Sequence, residues 1–439
     1  MTATRIGPFH LAAGWSRGNA ATVWLASFFT IGLAAFISFL QPYLLNEVLH
    51  IPVAEQGRLT GGLGFLQEII VIALASFVGA WSDRVGRRRV YCLGLLLIAA
   101  GLFIYPLAAS TGELIAFRVV FALGIAVAPL MLSACVVDAI QERSRGRWIG
   151  SNALLQGLGV VAMAVGLAKL PLWFVARGAS AVDAGHYAFW TAAAIAVLAA
   201  LAMAIGLPGI VPHAAAGRRA AIRNGLWASV VNAGRVARSN PRLAVAFGGA
   251  FIGRGDFVVM GAYFSLWVTQ AGIQAGMTPA TAMARGGMLF GIVQLAAMGW
   301  AFFMGLFIDR VDRVTGVCVA FALAAASYAL LGQASDPFAA GFMPIAALAG
   351  IGEISVIVAT GALLGEEAPR DERGPVVGLF NAVGGLGILF ATLIGGLVFD
   401  HFGQTAPFTM MALLNAALLV AAVLVRRRVG HRKVADLGI

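Results

Sequence analysis

Charge is what this sequence has least of. Only 11% of its 439 residues are charged, against roughly a quarter in a soluble domain. By contrast 60% are hydrophobic, and the mean hydropathy is +0.90. A water-soluble globular protein is thereby excluded, and so is disorder, which needs the opposite balance. Lysine is nearly missing: Lys169 and Lys433 are the only two among 30 basic residues. That arginine bias points toward a GC-rich, bacterial coding sequence. Cysteine is scarce, and Cys92, Cys135 and Cys318 all fall in apolar runs, which argues against a disulfide framework and against a metal cluster. The net charge of +11 does not indicate nucleic acid as a partner, because the basic residues sit in the gaps between apolar runs. The first 20 residues hold Arg5, His10 and Arg17 with no apolar core, so no cleavable signal is expected.

Several chemistries lack their residues. The Gly-x4-Gly-Lys-Ser/Thr phosphate loop is missing, which disfavours ATP-driven transport. There is neither His-Glu-x-x-His nor Gly-x-Ser-x-Gly, and none of His10, His50, His186, His213, His401 or His431 lies deep in an apolar run. Asp309-x-x-Asp312 resembles a diphosphate-binding acidic pair, but arginines flank it and it copies an earlier loop at Asp83. No enzyme is expected, and no catalytic residue, metal ligand or cofactor is assigned.

What the sequence does contain is long apolar runs. Several exceed the roughly 20 residues that cross a bilayer as a helix; a β-barrel would show short alternating segments instead. Twelve spans are expected, near 22–45, 60–82, 89–109, 113–139, 148–170, 187–207, 243–270, 285–308, 314–334, 342–365, 375–399 and 406–425. The least certain boundary is the end of span 5, where Lys169 and Pro171 precede the aromatic pair Trp173-Phe174. With both termini inside, the inner segments carry 24 Lys and Arg, and the outer ones only Arg58, Lys169, Arg177 and Arg285. This imbalance sets the orientation. The domain organisation expected is an N-terminal six-helix bundle (1–207), a basic cytoplasmic linker (208–242) and a C-terminal six-helix bundle with a short basic tail (243–439). Ile222, Leu226 and Val230 recur every four residues in the linker beside Arg219 and Arg223. They suggest a helix lying on the inner leaflet, with a solvated linker as the plainer alternative.

The halves repeat. Gly79-Ala-Trp-Ser-Asp83-Arg84-Val85 returns as Gly305-Leu-Phe-Ile-Asp309-Arg310-Val311, 226 residues later. Arg145-Gly146-x3-Gly150-x6-Gly157-x-Gly159 returns as Arg373-Gly374-x3-Gly378-x6-Gly385-x-Gly387, 228 residues later. Six spans repeated in parallel are an architecture of secondary transporters. The run Gly79-x3-Asp83-Arg84-x-Gly86-Arg87-Arg88, between spans 2 and 3, resembles the signature loop of the major facilitator superfamily. With its copy at 305–313, the resemblance covers the whole chain. A second family pattern on span 4 is matched by Arg118 and Gly124, while Phe121 and Ala122 stand where that pattern has Gln-Gly. The Gly-Pro signature of many drug/proton antiporters is missing from span 5, which points away from that group.

The resemblance implies an all-α polytopic membrane protein, two six-helix bundles rocking about a cavity lined by spans 1, 4, 7 and 10. It implies that the signature loop acts as a gate latch. Asp83 would accept hydrogen bonds near Gly374 at the start of span 11, where a helix N-terminus is partly positive. Arg87 or Arg88 would reach Asp138 at the inner end of span 4, and Asp309 with Arg310 would form the degenerate copy.

Charges inside spans are costly and mark pathways or pairs. Arg254 on span 7 and Glu353 on span 10 both lie about 16 Å deep at about 1.5 Å per residue, the middle of the bilayer. Glu68 on span 2 is shallower, and Arg118 lies close enough to one face to snorkel. Arg254 and Asp256 are two apart and point to opposite sides of a regular helix, unless Gly253 and Gly255 loosen it so that both face inward. Met260, Tyr263 and Trp267 follow Asp256 at helical spacing, either as a surface for an apolar substrate or as bundle packing. Gln294 on span 8 is the repeat partner of Glu68, and the two line the pathway or bond across bundles. The leading expectation is a proton-coupled secondary transporter for a small organic, anionic or amphipathic solute. Asp256 and Glu353 are its candidate proton carriers and Arg254 their partner. An uncoupled facilitator is the alternative; an intramembrane enzyme or a transport-inactive receptor is remote. The expected setting is the bacterial inner membrane, with a functional monomer and no partner beyond substrate, protons and lipid.

The orientation is testable by labelling. Single cysteines introduced at Gly217 and Arg427 should react only with reagents on the inside, and one at Ser335 only from outside. Modification of Gly217→Cys by an impermeant external reagent would reverse the topology.

Overall fold

The computed structural model describes residues 5–209, 234–235, 239–369 and 373–429. Among these residues twelve helices are long and apolar enough to cross a membrane: α1 (Arg17–Glu47), α2 (Val53–Val85), α3 (Arg87–Leu107), α4 (Thr111–Asp138), α5 (Glu142–Val175), α6 (Ala181–Gly206), α7 (Pro241–Gln274), α8 (Pro279–Arg310), α9 (Arg313–Gln333), α10 (Phe342–Glu367), α11 (Arg373–Phe402) and α12 (Ala406–Arg428). All twelve expected spans are present. The surface helix expected around Ile222, Leu226 and Val230 lies outside the described residues.

Most helices start earlier than hydropathy suggests, and at several a polar cap sets the first turn. Ser16 and Asn19 form a reciprocal capping box at α1. Ser110 accepts from the Glu113 amide at α4, Ser180 from Asp183 at α6, and Asp312 from Thr315 at α9. Each cap satisfies one of the amides that a helix start leaves open. The doubtful end of span 5 resolves as continuation. A 3-10 turn at Leu167–Lys169 leads into a last helical piece, Leu170–Val175, with Pro171 in its first turn, where a missing N–H costs little. Gly86 alone joins α2 to α3, with φ +101 and ψ 133, a conformation essentially closed to residues with a Cβ.

The chain forms two compact units. One comprises Met1–Val53, Leu66–Ala214 and Val268–Gly291; the other comprises Ala54–Phe65, Ala215–Trp267 and Ile292–Ile439. The start of α2 therefore belongs with the later helices, and the end of α7 and start of α8 with the earlier ones. Within the first unit a short hairpin, β1 (Arg5–Ile6) with β2 (Phe9–His10), docks beside the α4–α5 connection. Ala12 N–H donates to Ala139 O at 3.0 Å and Gln141 N–H to His10 O at 2.9 Å. Phe9 packs edge-on to Trp24 and Trp148, at 5.9 and 5.4 Å between centroids.

In lipid, apolar surface gives helices no reason to associate, so close backbone approach has to supply it. The repeated glycines do this twice. A methyl group at Gly159 of α5 would overlap the Phe28 carbonyl of α1, and one at Gly387 of α11 would overlap the Phe251 carbonyl of α7. The same repeat contains Gly150 and Gly378, which face open space. Gly159→Val and Gly387→Val should therefore each destabilise the protein by about 1–3 kcal/mol, while Gly150→Ala and Gly378→Ala leave its melting temperature unchanged or slightly raised. Equal melting of all four variants in detergent would remove the packing role of the repeat.

Candidate functional site

The second unit holds two carboxylates in its interior. Asp256 is fully buried and Glu353 is 3% exposed. Helix α7 is regular over Pro241–Val258, becomes π-helical over Val259–Phe264, and returns to α-helix at Ser265. Arg254 and Asp256 lie in the regular part and point apart, as their spacing requires. Arg254 is exposed and its Nη2 donates to Asn381 Oδ1 of α11 at 3.3 Å. Gly253 and Gly255 do not unwind the helix here. They admit neighbours, a Cβ at Gly253 meeting Val356 at 3.1 Å and one at Gly255 meeting Met411 at 3.1 Å. The departure from α-helix comes one turn later, a feature that recurs at functional sites.

Asp256 is held by uncharged groups. Asn415 Nδ2 on α12 donates to both carboxylate oxygens, at 3.1 Å each. Tyr328 Oη on α9 donates to the Asp256 backbone carbonyl at 2.9 Å. Glu353 lies near enough to interact electrostatically with Asp256 and Tyr328, and its Oε2 is buried without a hydrogen-bond partner. Among the described residues no basic side chain forms an ion pair with either acid; the expected pairing of Arg254 with them is not the arrangement seen.

Met260, Tyr263 and Trp267 take the packing alternative. Met260 and Tyr263 are fully buried and Trp267 is 1% exposed. Tyr263 donates to the Thr392 carbonyl, and Trp267 packs against Phe342 and Phe408, both 5.5 Å away between centroids. Glu68 and Gln294 are half-buried on α2 and α8. Arg118, in the first unit, does not snorkel: it is 5% exposed. Its Nη1 donates to Gln41 Oε1 at 3.3 Å, an oxygen that also accepts from Tyr105 at 3.1 Å. The guanidinium lies 5.9 Å from the Tyr105 ring centre and 5.4 Å from that of Phe121, so two aromatic faces stand in for a counter-ion. Phe121, which departs from the family pattern, is one of the two.

At the signature loop, Gly86 makes the turn and Arg87 spans it. Arg87 Nη1 lies 2.6 Å from Asp138 Oδ2, and Nη2 lies 3.8 Å from Asp83. Arg88 donates instead to the Leu207 carbonyl at 3.4 Å; Arg84 is exposed and Gly79 faces open space. A cavity of about 220 Å³ lies beside the pair, lined among others by Trp15, Arg87, Arg88 and Asp138. In the second unit Arg313 pairs with Asp309 at 3.0 Å and with Glu366 at 3.4 Å, while Arg310 is exposed. Arg87–Asp138 and Arg313–Glu366 are thus one ion pair made twice, at the two offsets of the sequence repeat. The second copy gains a buried cation. Arg242, 2% exposed, reaches Asp312 at 3.4 Å, Glu367 at 3.5 Å and Glu366 at 3.8 Å.

Asn415, Tyr328, Gln41, Tyr105, Asn381 and Arg242 were not singled out by the sequence. All but Arg242 are uncharged polar residues inside apolar spans, and a search by formal charge passes over them.

Comparison with known proteins agrees with this architecture. The family model described as Major Facilitator Superfamily matches residues 23–346 and again 284–438. The chain is 27% identical over 419 residues to magnetosome protein MamH of Paramagnetospirillum magneticum, covering 92% of this chain and 91% of that protein. It is 26% identical over 405 residues to magnetosome protein MamZ of Magnetospirillum gryphiswaldense, covering 87% of this chain but only 58% of that longer protein. Two solved structures share the fold at low identity. The nucleoside transporter NupG has a TM-score of 0.68 at 12% identity, over 94% of this chain and 100% of that one. A D-xylose-proton symporter has a TM-score of 0.68 at 15% identity, over 95% and 98%. With the family's match running through both halves, over the signature loop and its copy, the chain belongs to the Major Facilitator Superfamily.

Proposed function

We propose that this protein is a secondary active transporter that moves a small organic solute by alternating access, coupled to protons. The observation that carries the reading is the pair of buried acids, Asp256 and Glu353, without a cationic partner among the described residues. Burial without a counter-charge favours the neutral acid, and access of water favours the ionised one. A site exposed alternately to two sides therefore loads a proton in one state and releases it in another. A D-xylose-proton symporter shares this fold, so the architecture accommodates such coupling.

Arg254 supports the substrate side. A guanidinium exposed to lipid at mid-span costs about 2.5–3.5 kcal/mol on insertion scales, so its exposed face belongs to a wet pathway. There it favours a solute with negative charge or amphipathic character. Arg118, Glu68 and Gln294 are read as further polar elements along the path, and residues 1–207 and 243–439 as the two moving bundles joined by the linker 208–242. The bacterial inner membrane, with both termini cytoplasmic, is the proposed setting. The signature-loop group, from Gly79 to Arg88 with Asp138, is read as the gate: Asp83→Asn should cripple transport while leaving expression and membrane insertion intact. Normal flux through a well-expressed Asp83→Asn protein would discard the gate.

The coupling test uses proteoliposomes and a solute first found by thermal-shift screening of the purified protein. Asp256→Asn and Glu353→Gln should abolish accumulation or extrusion driven by an imposed pH gradient, yet spare exchange of solute for solute. An amide hydrogen-bonds and fills similar volume but neither binds nor releases a proton. If both variants follow the gradient fully, an uncoupled facilitator or another coupling site takes its place.

A further inference from the structure

The hydrogen bonds around Asp256 carry a second conclusion, which rests on the coupling role proposed above. Asn415 is fully buried, and its Nδ2 has three acceptors around it: both oxygens of Asp256 at 3.1 Å, and the Met411 carbonyl one turn back on α12 at 3.0 Å. That crowd of acceptors fixes which end of the amide is nitrogen, since an oxygen there would face three oxygens. The equal distances to Oδ1 and Oδ2 suit a carboxylate whose charge is shared between them. Asn415 Oδ1, on the same amide, is buried and has no hydrogen-bond partner. A buried acceptor left open costs free energy, so Oδ1 calls for a donor in another arrangement of the same pair.

We propose that Asn415 is a positioning residue that matches Asp256 in both of its protonation states. With Asp256 ionised, Nδ2–H bridges the two carboxylate oxygens. When a proton binds one of those oxygens, the new O–H needs an acceptor. A small sideways rotation of the amide brings Asn415 Oδ1 to that hydroxyl while Nδ2–H keeps the other oxygen, forming a two-point acid–amide pair. The orphaned atom of one state is the acceptor of the other, and neither state leaves the acid without a partner.

Among the described residues, the other groups near Asp256 do not offer it both a donor and an acceptor. Tyr328 on α9 spends its hydroxyl on the Asp256 backbone. Glu353 on α10 adds a like charge. Arg254, the neighbouring cation on α7 itself, is bonded to Asn381 on α11. Facing Gly255, α11 presents Ala391 and the Gly387 carbonyl, which do not titrate. Among the described residues Asn415 is the one side-chain donor to this carboxylate.

Infrared difference spectroscopy of the full-length protein in lipid tests this without a known substrate. The carboxyl band that disappears in Asp256→Asn, followed against pH, reports the proton on Asp256; Glu353→Gln removes the second acid's band. In Asn415→Leu, which keeps volume but not the amide, both states of Asp256 lose a partner, the bond to the charged form being the stronger, so Asp256 should hold its proton up to about 10-fold more tightly. The protonated band should also move to the higher frequency of a free acid. Asn415→Ala, which cannot overfill the site, should give the same shift, with melting temperature as the folding control. A protonated band that keeps its frequency in both folded variants overturns the Asn415 assignment alone. If no band depends on Asp256 at any pH, the coupling role falls and this inference with it.

Discussion

Hydrocarbon forms no hydrogen bonds, and the placement of nearly every polar group in this protein follows from that. Backbone groups are closed within helices. Side-chain hydroxyls and amides bond between helices, as Thr30 with Tyr91 at 2.6 Å and Ser27 with Asn152 at 2.7 Å. Others turn back on their own helix, as Thr360 does to Val356. Arg118 is covered by an amide oxygen and two rings. Asp256 and Glu353 are where this rule is strained: acids in a dry interior, one with a single donor group and one with an open oxygen. Other buried polar atoms are also left open, Thr269 Oγ1 and Arg118 Nε among them; what sets this pair apart is that both are acids.

The two halves share a scaffold and differ in charge. Gly159 and Gly387 bring α5 to α1 and α11 to α7 in the same way, and the Arg87–Asp138 and Arg313–Glu366 pairs tie corresponding helix ends. Interior charge follows no such repeat. The first half buries a cation at Arg118; the second buries two acids, with Ile125 standing at the repeat position of Glu353. The repeat thus carries helix packing and the ion pairs at the helix ends, while the buried interior charges stand outside it.

Spans, signature loop and internal repeat were legible because each rests on local pattern: hydropathy over a window, fixed spacing, self-similarity. The opposed directions of Arg254 and Asp256 follow from helix geometry, but their glycine neighbours left a second geometry open that only packing decides. The Met260, Tyr263 and Trp267 stripe was ambiguous for the same reason, since large apolar residues line cavities and cores alike. Asn415 lay beyond reach in practice: its partner is 159 residues away, and nothing in a one-dimensional pattern joins the two. Depth alone does not decide whether Arg118 snorkels, because it does not reveal Gln41 and Tyr105 arriving from other helices.

The docking of the N-terminal hairpin has a consequence for how the protein is made. Its partners, Ala139, Ile140 and Gln141, lie beyond the fourth span, and Trp148 lies further on. During synthesis residues 5–12 have nothing to pair with until four helices have entered the membrane. The hairpin is made before its partners and cannot close these contacts until the fourth span has followed it. Any factor that holds the hairpin competes with this late closure. The order of biogenesis is written into where a few early residues find their hydrogen bonds.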